Sequence, residues 1–470
     1  MIDAADLQED FSLQFQNLVL YCSCVFLTMR KGAGRMRQRA LLWALGMLLC
    51  AALAGCAARP ADDTLFRLPK LPAEYESLEA LIDELLAGGA EYAAPTSGSN
   101  LQSVQMVDLN GDGEEEAVAF FRRSSDERPM KIYVFRSAGD SYEQYCVIEG
   151  TSNSIYSISY VDLNGDGWRE ILAGIRGDLD VQNLAVWSVA GGEPRQLLLT
   201  GYSRYAARDM DDDGRQDLIV LRSDEESSAV ADYYTWNGTE LALDSSLRLA
   251  STVAELSRLT AGTLLDGETA LFVTSVTEDN AAMTEVLTVS DAALRRVAGG
   301  ARGEAARFLD LYPSDVDGDG VTEVPEPIPF RQLAPEDPVF YRIRWRRYDA
   351  GGGSEIARET FQDTQSGWSL TLPESWGQNV TVSRMSGADG GAVTFLSLGG
   401  AEPEPFLTIY AFTGYNRTAL SSRAGRITLL RQAEVVYAAE ITGDGAELID
   451  EQTLYENFSL VTAEWTTGEN

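Results

Sequence analysis

The stretch that decides the fold is Asp108-Leu109-Asn110-Gly111-Asp112-Gly113-Glu114-Glu115-Glu116. Oxygen-bearing side chains stand at its positions 1, 3, 5 and 9, and glycine stands at position 6. The same spacing returns in stretches that begin at Asp162, Asp209 and Asp315. The starts are 54, 47 and 106 residues apart, and 106 is twice 53. A repeat of about fifty residues therefore organises this part of the chain.

A further repeat is expected near residue 262, midway between the third and fourth stretches. Asp266-Gly267 and the apolar run 271–273 remain there, but the other acids of the pattern are missing. We predict a degenerate repeat that keeps its strands and does not bind a cation.

The spacing of oxygen donors is typical of a calcium loop. Ca²⁺ takes about six to eight oxygen ligands, and a tightly curled backbone turns positions 1, 3 and 5 inward. Glycine at position 6 permits the reversal, the backbone carbonyl of position 7 can coordinate, and an acid at position 9 completes the ligand set. The predicted side-chain ligands are Asp108, Asn110, Asp112, Glu116, Asp162, Asn164, Asp166, Glu170, Asp209, Asp211, Asp213, Asp217, Asp315, Asp317, Asp319 and Glu323. The predicted carbonyl ligands belong to Glu114, Trp168, Arg215 and Val321.

Two other structures can begin with such a loop. An EF-hand needs a bidentate Glu at position 12 and flanking helices, but three of the four loops have Ala119, Ala173 or Val220 there, and the flanks alternate as strands do. Asp-Gly and Asn-Gly are also common hairpin turns. Turn formation explains one or two loops, but not four with the same acids at regular spacing. The third loop differs from the others because Asp212 adds a fifth acid.

Apolar runs after each loop predict short strands, at 117–121, 171–175, 218–221 and 271–274. Aromatic-rich runs follow, at 131–135, 184–189, 231–236, 285–289 and 340–345. Repeats of this length with three or four strands are typical of propeller blades. We predict a mainly β protein with an amphipathic helix at 76–86 and a β-propeller within 73–350. The glycine-rich residues 351–354 are expected to lead into a small α+β domain at 355–470; the alternative is a seven-bladed propeller that reaches the C-terminus.

The four loops and the apolar strands after them resemble the FG-GAP and VCBS repeat families, whose members include the β-propellers of integrin α-subunits. The resemblance covers about residues 100–350. It implies calcium bound by the loops on one face of a propeller and a role in recognition or adhesion. The chain departs from the family by lacking the Phe-Gly…Gly-Ala-Pro framework and by having five recognisable units.

Composition narrows the possible chemistry. Lys and Arg total 37 against 72 Asp and Glu, for a net charge of −35, and no histidine is present. Such a surface repels nucleic acid, and imidazole-based catalysis is excluded. The favoured function is a binding module for an unknown protein or carbohydrate. The alternative is a hydrolase or lyase that acts on polysaccharide with paired carboxylates.

The N-terminal region predicts export. Arg37 and Arg39 precede an apolar run at 40–53 that is short for a membrane span. Leu53-Ala54-Gly55-Cys56 follows and resembles the lipobox of bacterial lipoproteins, which implies a lipid on Cys56 and an anchor on the outer face of a bacterial membrane. We interpret 1–35 as lying upstream of the true start, 36–55 as the signal peptide and 56–72 as a linker. A short membrane anchor is the alternative.

Lipidation of Cys56 can be tested by mass spectrometry of the native protein. We expect a diacylated peptide that begins at Cys56, because the cysteine thiol of a lipobox receives the lipid before cleavage. A Cys56→Ser variant should remain unprocessed and unlipidated. Recovery of an unmodified peptide that runs through residues 50–60 of the native protein would contradict the lipoprotein interpretation.

Overall fold

The apolar runs after each acidic loop form antiparallel strands in a computed structural model of the chain. The structure describes residues 73–152, 154–176, 182–300, 306–307, 309–443 and 445–461. The predicted signal peptide, Cys56 and the linker lie outside the described residues. The described chain is mainly β, as predicted, and its strands form six antiparallel sheets. Among the described residues, no helix combines the length and hydrophobicity that crossing a membrane requires.

The first three sheets each place an acidic loop between their first two long strands. Sheet 1 contains β1 (Glu91–Tyr92), β2 (Val104–Val107), β3 (Glu116–Arg122), β4 (Met130–Ser137) and β5 (Tyr142–Gly150). Sheet 2 contains β6 (Ser154–Val161), β7 (Glu170–Arg176), β8 (Gln182–Ser188) and β9 (Arg195–Gly201). Sheet 3 contains β10 (Arg204–Arg208), β11 (Asp217–Ser223), β12 (Ser228–Trp236) and β13 (Leu241–Thr252).

The remaining three sheets depart from this pattern in different ways. Sheet 4 contains β14 (Leu256–Thr263), β15 (Thr269–Val276), β16 (Ala281–Ser290), β17 (Ala293–Ala298) and β18 (Ala306–Arg307). Sheet 5 begins after the acidic loop, with β19 (Val324–Pro329), β20 (Tyr341–Tyr348), β21 (Ser354–Asp363) and β22 (Trp368–Thr371). Sheet 6 contains β23 (Val380–Gly387), β24 (Gly390–Ser397), β25 (Glu404–Phe412), β26 (Arg426–Arg431) and β27 (Val436–Ile441).

The strand register shows why the predicted degenerate repeat lacks the loop. In sheets 1 to 3 the residue before position 1 pairs with the acid at position 9, as Val107 does with Glu116. In sheet 4 the corresponding pair is Thr263 and Thr269, which are six residues apart rather than nine. The strands predicted there are confirmed, and the loop between them is three residues shorter than its counterparts.

Consecutive sheets share apolar cores. Val118 and Phe120 of sheet 1 pack with Ile171 of sheet 2, and corresponding clusters join each later pair of neighbouring sheets. Strands such as β3 are therefore buried on both faces, which is why their sequences are continuously apolar rather than alternating.

Helix α1 (Ala73–Ala87) covers the face of sheet 1 that sheet 2 leaves open. Its buried residues Leu78 and Ile82 pack against Ala117, Ala119 and Phe121. The helix predicted at 76–86 is confirmed, because its apolar side chains recur at helical spacing and find a flat apolar surface.

The predicted boundary at 351–354 is a hairpin turn between β20 and β21. The carboxylate of Asp349 accepts the N–H of Gly353 at 2.9 Å, and Gly352 adopts φ +87°, a conformation that favours glycine. Strands β20 and β21, which this turn connects, pair with each other along their lengths. Sheet 5 thus crosses the boundary that we expected between the propeller and a domain at 355–470.

The C-terminal part of the chain adds short helices α2 (Arg417–Ser421), α3 (Gly445–Leu448) and α4 (Glu451–Asn457). Helix α4 ends at Asn457, because the residues after it form β28 (Phe458–Leu460), which pairs with β22 as the fifth strand of sheet 5. The ring of Phe458 stacks on that of Trp368, with centroids 5.9 Å apart. Burial against this ring outweighs local helix preference.

Truncation at Leu78 tests how much α1 stabilises sheet 1. A Leu78→Ala variant should lose about 2–5 kcal/mol of unfolding free energy, since it leaves a cavity against Phe121. Urea denaturation monitored by circular dichroism measures the loss. Glu79→Ala, at an exposed position of the same helix, is the control and should change stability by less than about 0.5 kcal/mol. Equal midpoints for the two variants would show that the helix is not docked.

Candidate calcium loops

The carboxylate at position 1 organises each loop by accepting two backbone N–H groups. Asp108 Oδ1 accepts from Gly111 at 2.7 Å, and its Oδ2 accepts from Gly113 at 3.1 Å. Both glycines have positive φ, +74° and +90°. Asp162 and Asp315 make the same pair of bonds in their own loops. The backbone therefore curls around this side chain, as the glycine at position 6 predicted.

Positions 3 and 5 continue the curl. Asn110 Oδ1 accepts the N–H of Asp112 at 2.9 Å, and Asp112 Oδ1 accepts the N–H of Glu114 at 2.8 Å. The second loop repeats both bonds with Asn164, Asp166 and Trp168. These bonds gather the predicted side-chain ligands within one turn of backbone. They also hold the residues at position 7, whose carbonyls we predicted as ligands.

The third loop reaches the same shape with a different residue at position 4. Asp212 stands where the other loops have glycine and adopts φ +59°, which is uncommon for a residue with a side chain. The N–H of Asp213 donates to Asp209 Oδ1 and to Asp211 Oδ1, both at 3.2 Å. Arg215 pairs its guanidinium with Asp213 at the exposed rim of the loop.

The acid at position 9 lies in the core. Glu116, Glu170, Asp217 and Glu323 are all buried. One oxygen of each accepts the N–H of the residue at position 2, namely Leu109, Leu163, Met210 and Val316, at 2.8–3.0 Å. This bond was not foreseen from the sequence. The signal for it was the apolar residue at position 2 of every loop, which is buried beside its acid.

Burial changes the protonation of these acids. It raises the pKa of Glu170 to about 7, that of Glu323 to about 7 and that of Asp217 to about 6. Burial also raises the pKa of Glu116. The carboxylates at positions 5 and 1 further raise the pKa of Glu170, and those at positions 3 and 5 further raise the pKa of Asp217. The hydrogen bond from the N–H of position 2 lowers both pKa values. A cation among these oxygens would favour the charged form of the acid.

The donor sets fit a hard cation. One carboxylate oxygen each from Asp209, Asp211 and Asp217 lies within 4.8 Å of the others, and the same holds for Asp315, Asp317 and Glu323. In the first two loops an asparagine amide links the set, with Asn110 Nδ2 donating to Glu116 Oε1 at 3.1 Å. Oxygen donors with no nitrogen or sulfur ligand suit calcium or magnesium rather than a transition metal.

The loop at 315–323 differs because two arginines reach it. The guanidinium of Arg347 pairs with Asp319, lies 3.4 Å from Asp317 Oδ2 and lies 3.7 Å from Glu323 Oε1. Arg358 is also 3.4 Å from Asp317. Both arginines come from later strands of sheet 5, so spacing within the loop gave no sign of them.

The first three loops lie side by side. The N–H of Arg169 donates to the carbonyl of Leu109 at 2.7 Å, which joins the second loop to the first. A Cβ atom added at Gly165 would lie 3.0 Å from Arg215 Cδ, so the second and third loops are also in contact. The sequence predicted the loops one by one, and the fold brings three of them together.

No family model matches the chain, and no curated protein matches its sequence. Among solved structures it is similar to an exo-β-1,3-galactanase from Phanerochaete chrysosporium, solved with β-1,3-galactotriose. The two are 12% identical, the match covers 72% of this chain and 82% of that one, and the TM-score is 0.25. A prolyl endopeptidase is 11% identical over 79% of this chain and 59% of its own length, with a TM-score of 0.26. TM-scores this low establish neither a shared fold nor a shared activity.

Proposed function

We propose that this chain is a calcium-binding β-propeller module, exported and anchored through a lipid on Cys56 to the outer face of a bacterial membrane, that binds a protein or carbohydrate partner. The buried acid at position 9 carries the calcium part of the proposal. It is fixed by a backbone N–H on one oxygen, and in the third loop its carboxylate lies close to those of positions 1 and 3.

Repetition supports the propeller. Each of the first three sheets has the same register across its loop, and each shares an apolar core with the next sheet along the chain. Structural units that bury one face only by packing on a neighbour are characteristic of propellers and solenoids. Calcium would then stabilise the turn at which each unit starts.

The alternative of a polysaccharide hydrolase or lyase needs a pair of carboxylates available to substrate. Outside the loops, the buried acids among the described residues are engaged elsewhere. Asp232 pairs with Arg222 and accepts from Ser246, and Glu285 pairs with Arg296 and accepts the N–H of Ala250. The third, Asp363, pairs with Arg384. These contacts favour a binding module over the enzyme.

Calcium should stabilise the chain, and one ligand substitution should remove part of that effect. With free calcium at ten times the dissociation constant, each site adds about 1.4 kcal/mol to the unfolding free energy. Asp166→Asn should lose roughly this amount in calcium. In excess chelator its unfolding free energy should change little, because the substitution also removes one of the carboxylates that repel each other in the loop. Urea denaturation in calcium and in chelator measures both.

Asp140→Asn is the matched control for that substitution, since Asp140 is an exposed acid in the turn between β4 and β5. It should behave as the wild type in both solutions. If the wild-type curves in millimolar calcium and in chelator coincide, these loops are turns and not calcium sites.

The response to pH should change sign when calcium is removed. The folded state without calcium raises the pKa of Glu170, Asp217 and Glu323 above the values of an unfolded chain. Between about pH 5 and pH 7 the folded state therefore binds more protons, and its unfolding free energy should fall as pH rises. In saturating calcium the contributions of Glu170 and Asp217 to this fall should vanish or reverse, because calcium binds the charged form of each acid.

The absence of histidine removes the usual competing titration from this window. Denaturation of metal-free protein at pH 5, 6 and 7.5 measures the slope, and Glu170→Gln should make it shallower. A metal-free protein that becomes more stable over this range would show that these acids are already charged in the fold.

A further inference from the structure

The register of sheet 5 places Arg347 directly beside the acid of its loop. Val324 pairs with Arg346, so the next position along the two antiparallel strands sets Glu323 opposite Arg347. In sheet 1, Ala117 pairs with Phe135. One residue further along the same register, Glu116 lies opposite Arg136. Two sheets therefore carry an arginine at the strand position that faces the acid at position 9.

The two arginines point to different partners. Arg136 bonds to Glu143 at 2.5–2.6 Å and lies 5.1 Å from the ring centroid of Tyr145, with half of its side chain exposed. Arg347 is 16% exposed, and its guanidinium lies beside Asp317, Asp319 and Glu323 of the loop and beside Glu355 of β21. One arginine is bound outside the first loop, and the other is inserted into the loop at 315–323.

Inside that loop, Arg347 lies among the carboxylates that would hold a cation, and it pairs with one oxygen of Asp317 and one of Asp319. Asp317 Oδ1 and Glu323 Oε1 are buried without a hydrogen-bond partner, although Arg347 lies close to both side chains. A guanidinium neutralises carboxylates in the same way as a bound cation, and it repels a divalent ion that approaches the same oxygens. The cation of this loop is therefore part of the chain.

We infer that Arg347 is a tethered cation that takes the place of calcium in the loop at 315–323. This inference rests on the proposed function, because it assumes that the first three loops bind calcium. Calcium dependence is then confined to sheets 1 to 3. Sheet 4 has a shortened loop that keeps only Asp266 of the acids in the pattern, and sheet 5 carries its own positive charge.

A count of bound calcium tests this on the full chain by equilibrium dialysis with radioactive calcium. The wild type should bind three ions. Arg347→Gln should bind four, because it removes the positive charge that lies beside Asp317, Asp319 and Glu323. Arg136→Gln is the matched control and should stay at three, since Arg136 is paired with Glu143.

A second pair of variants covers the case in which Arg347→Gln does not fold. Asp162→Asn combined with Asp166→Asn should reduce the count from three to two. Asp315→Asn combined with Asp319→Asn should leave it at three. Hydrogen exchange should agree, with chelation speeding exchange in β3, β7 and β11 and leaving β20 and β24 unchanged.

The outcomes separate the two proposals. A wild-type count of four that falls to three with the substitutions at Asp315 and Asp319 would overturn the role of Arg347 and leave the calcium function standing. A count of three in both the wild type and a folded Arg347→Gln variant would also overturn it, because the arginine would not be what excludes the ion. A wild-type count of zero would overturn both proposals.

Discussion

The hydrogen bond between the buried acid at position 9 and the backbone N–H of position 2 is the contact on which the repeated part of the structure depends. In the first loop, Glu116 holds Leu109, and Leu109 lies in the core between sheets 1 and 2. In the second, Glu170 holds Leu163, which lies in the core between sheets 2 and 3. The loop is therefore hydrogen-bonded to a residue of the core between neighbouring sheets, and a change in the loop conformation would alter the packing of that core.

This arrangement explains why an acid is placed where a charge is unfavourable. Burying a carboxylate costs free energy, which one N–H only partly offsets. The raised pKa of Glu170 is the direct expression of that cost. A cation among the surrounding oxygens would offset this cost, so the proposed calcium binding would be coupled to the packing of two sheets. A surface turn with the same acids would bind the ion without any such effect on the core.

The sequence predicted those parts of the fold that local spacing controls. The strands after each loop were evident because both of their faces are buried, so the runs are continuously apolar. The curl of the loops followed from glycine and the alternating oxygens. Contacts between distant residues were not predictable: Arg347 lies 28 residues from Asp319, and Phe458 packs on Trp368. The glycine-rich residues 351–354 form a hairpin turn and not the linker that we expected, because both structures favour the same residue types.

The tethered arginine of sheet 5 belongs with another departure of that sheet. In sheets 1 to 3 the strand after the loop pairs on both sides. Among the described residues, β19 pairs only with β20, and a single bridge between Ser314 and Glu323 lies on its other side. Three prolines alternate along β19, at 325, 327 and 329, and their missing N–H groups suit an edge strand. In the part of the chain that the structure describes, the loop at 315–323 thus has one bridge where its counterparts have a first strand. A calcium ion would bridge residues of the loop alone, whereas Arg347 joins the loop to strand β20. The guanidinium therefore compensates for the missing strand pairing as well as for the charge, and this double role accounts for an arginine that pairs inside the loop of sheet 5, where the arginine of sheet 1 pairs with Glu143.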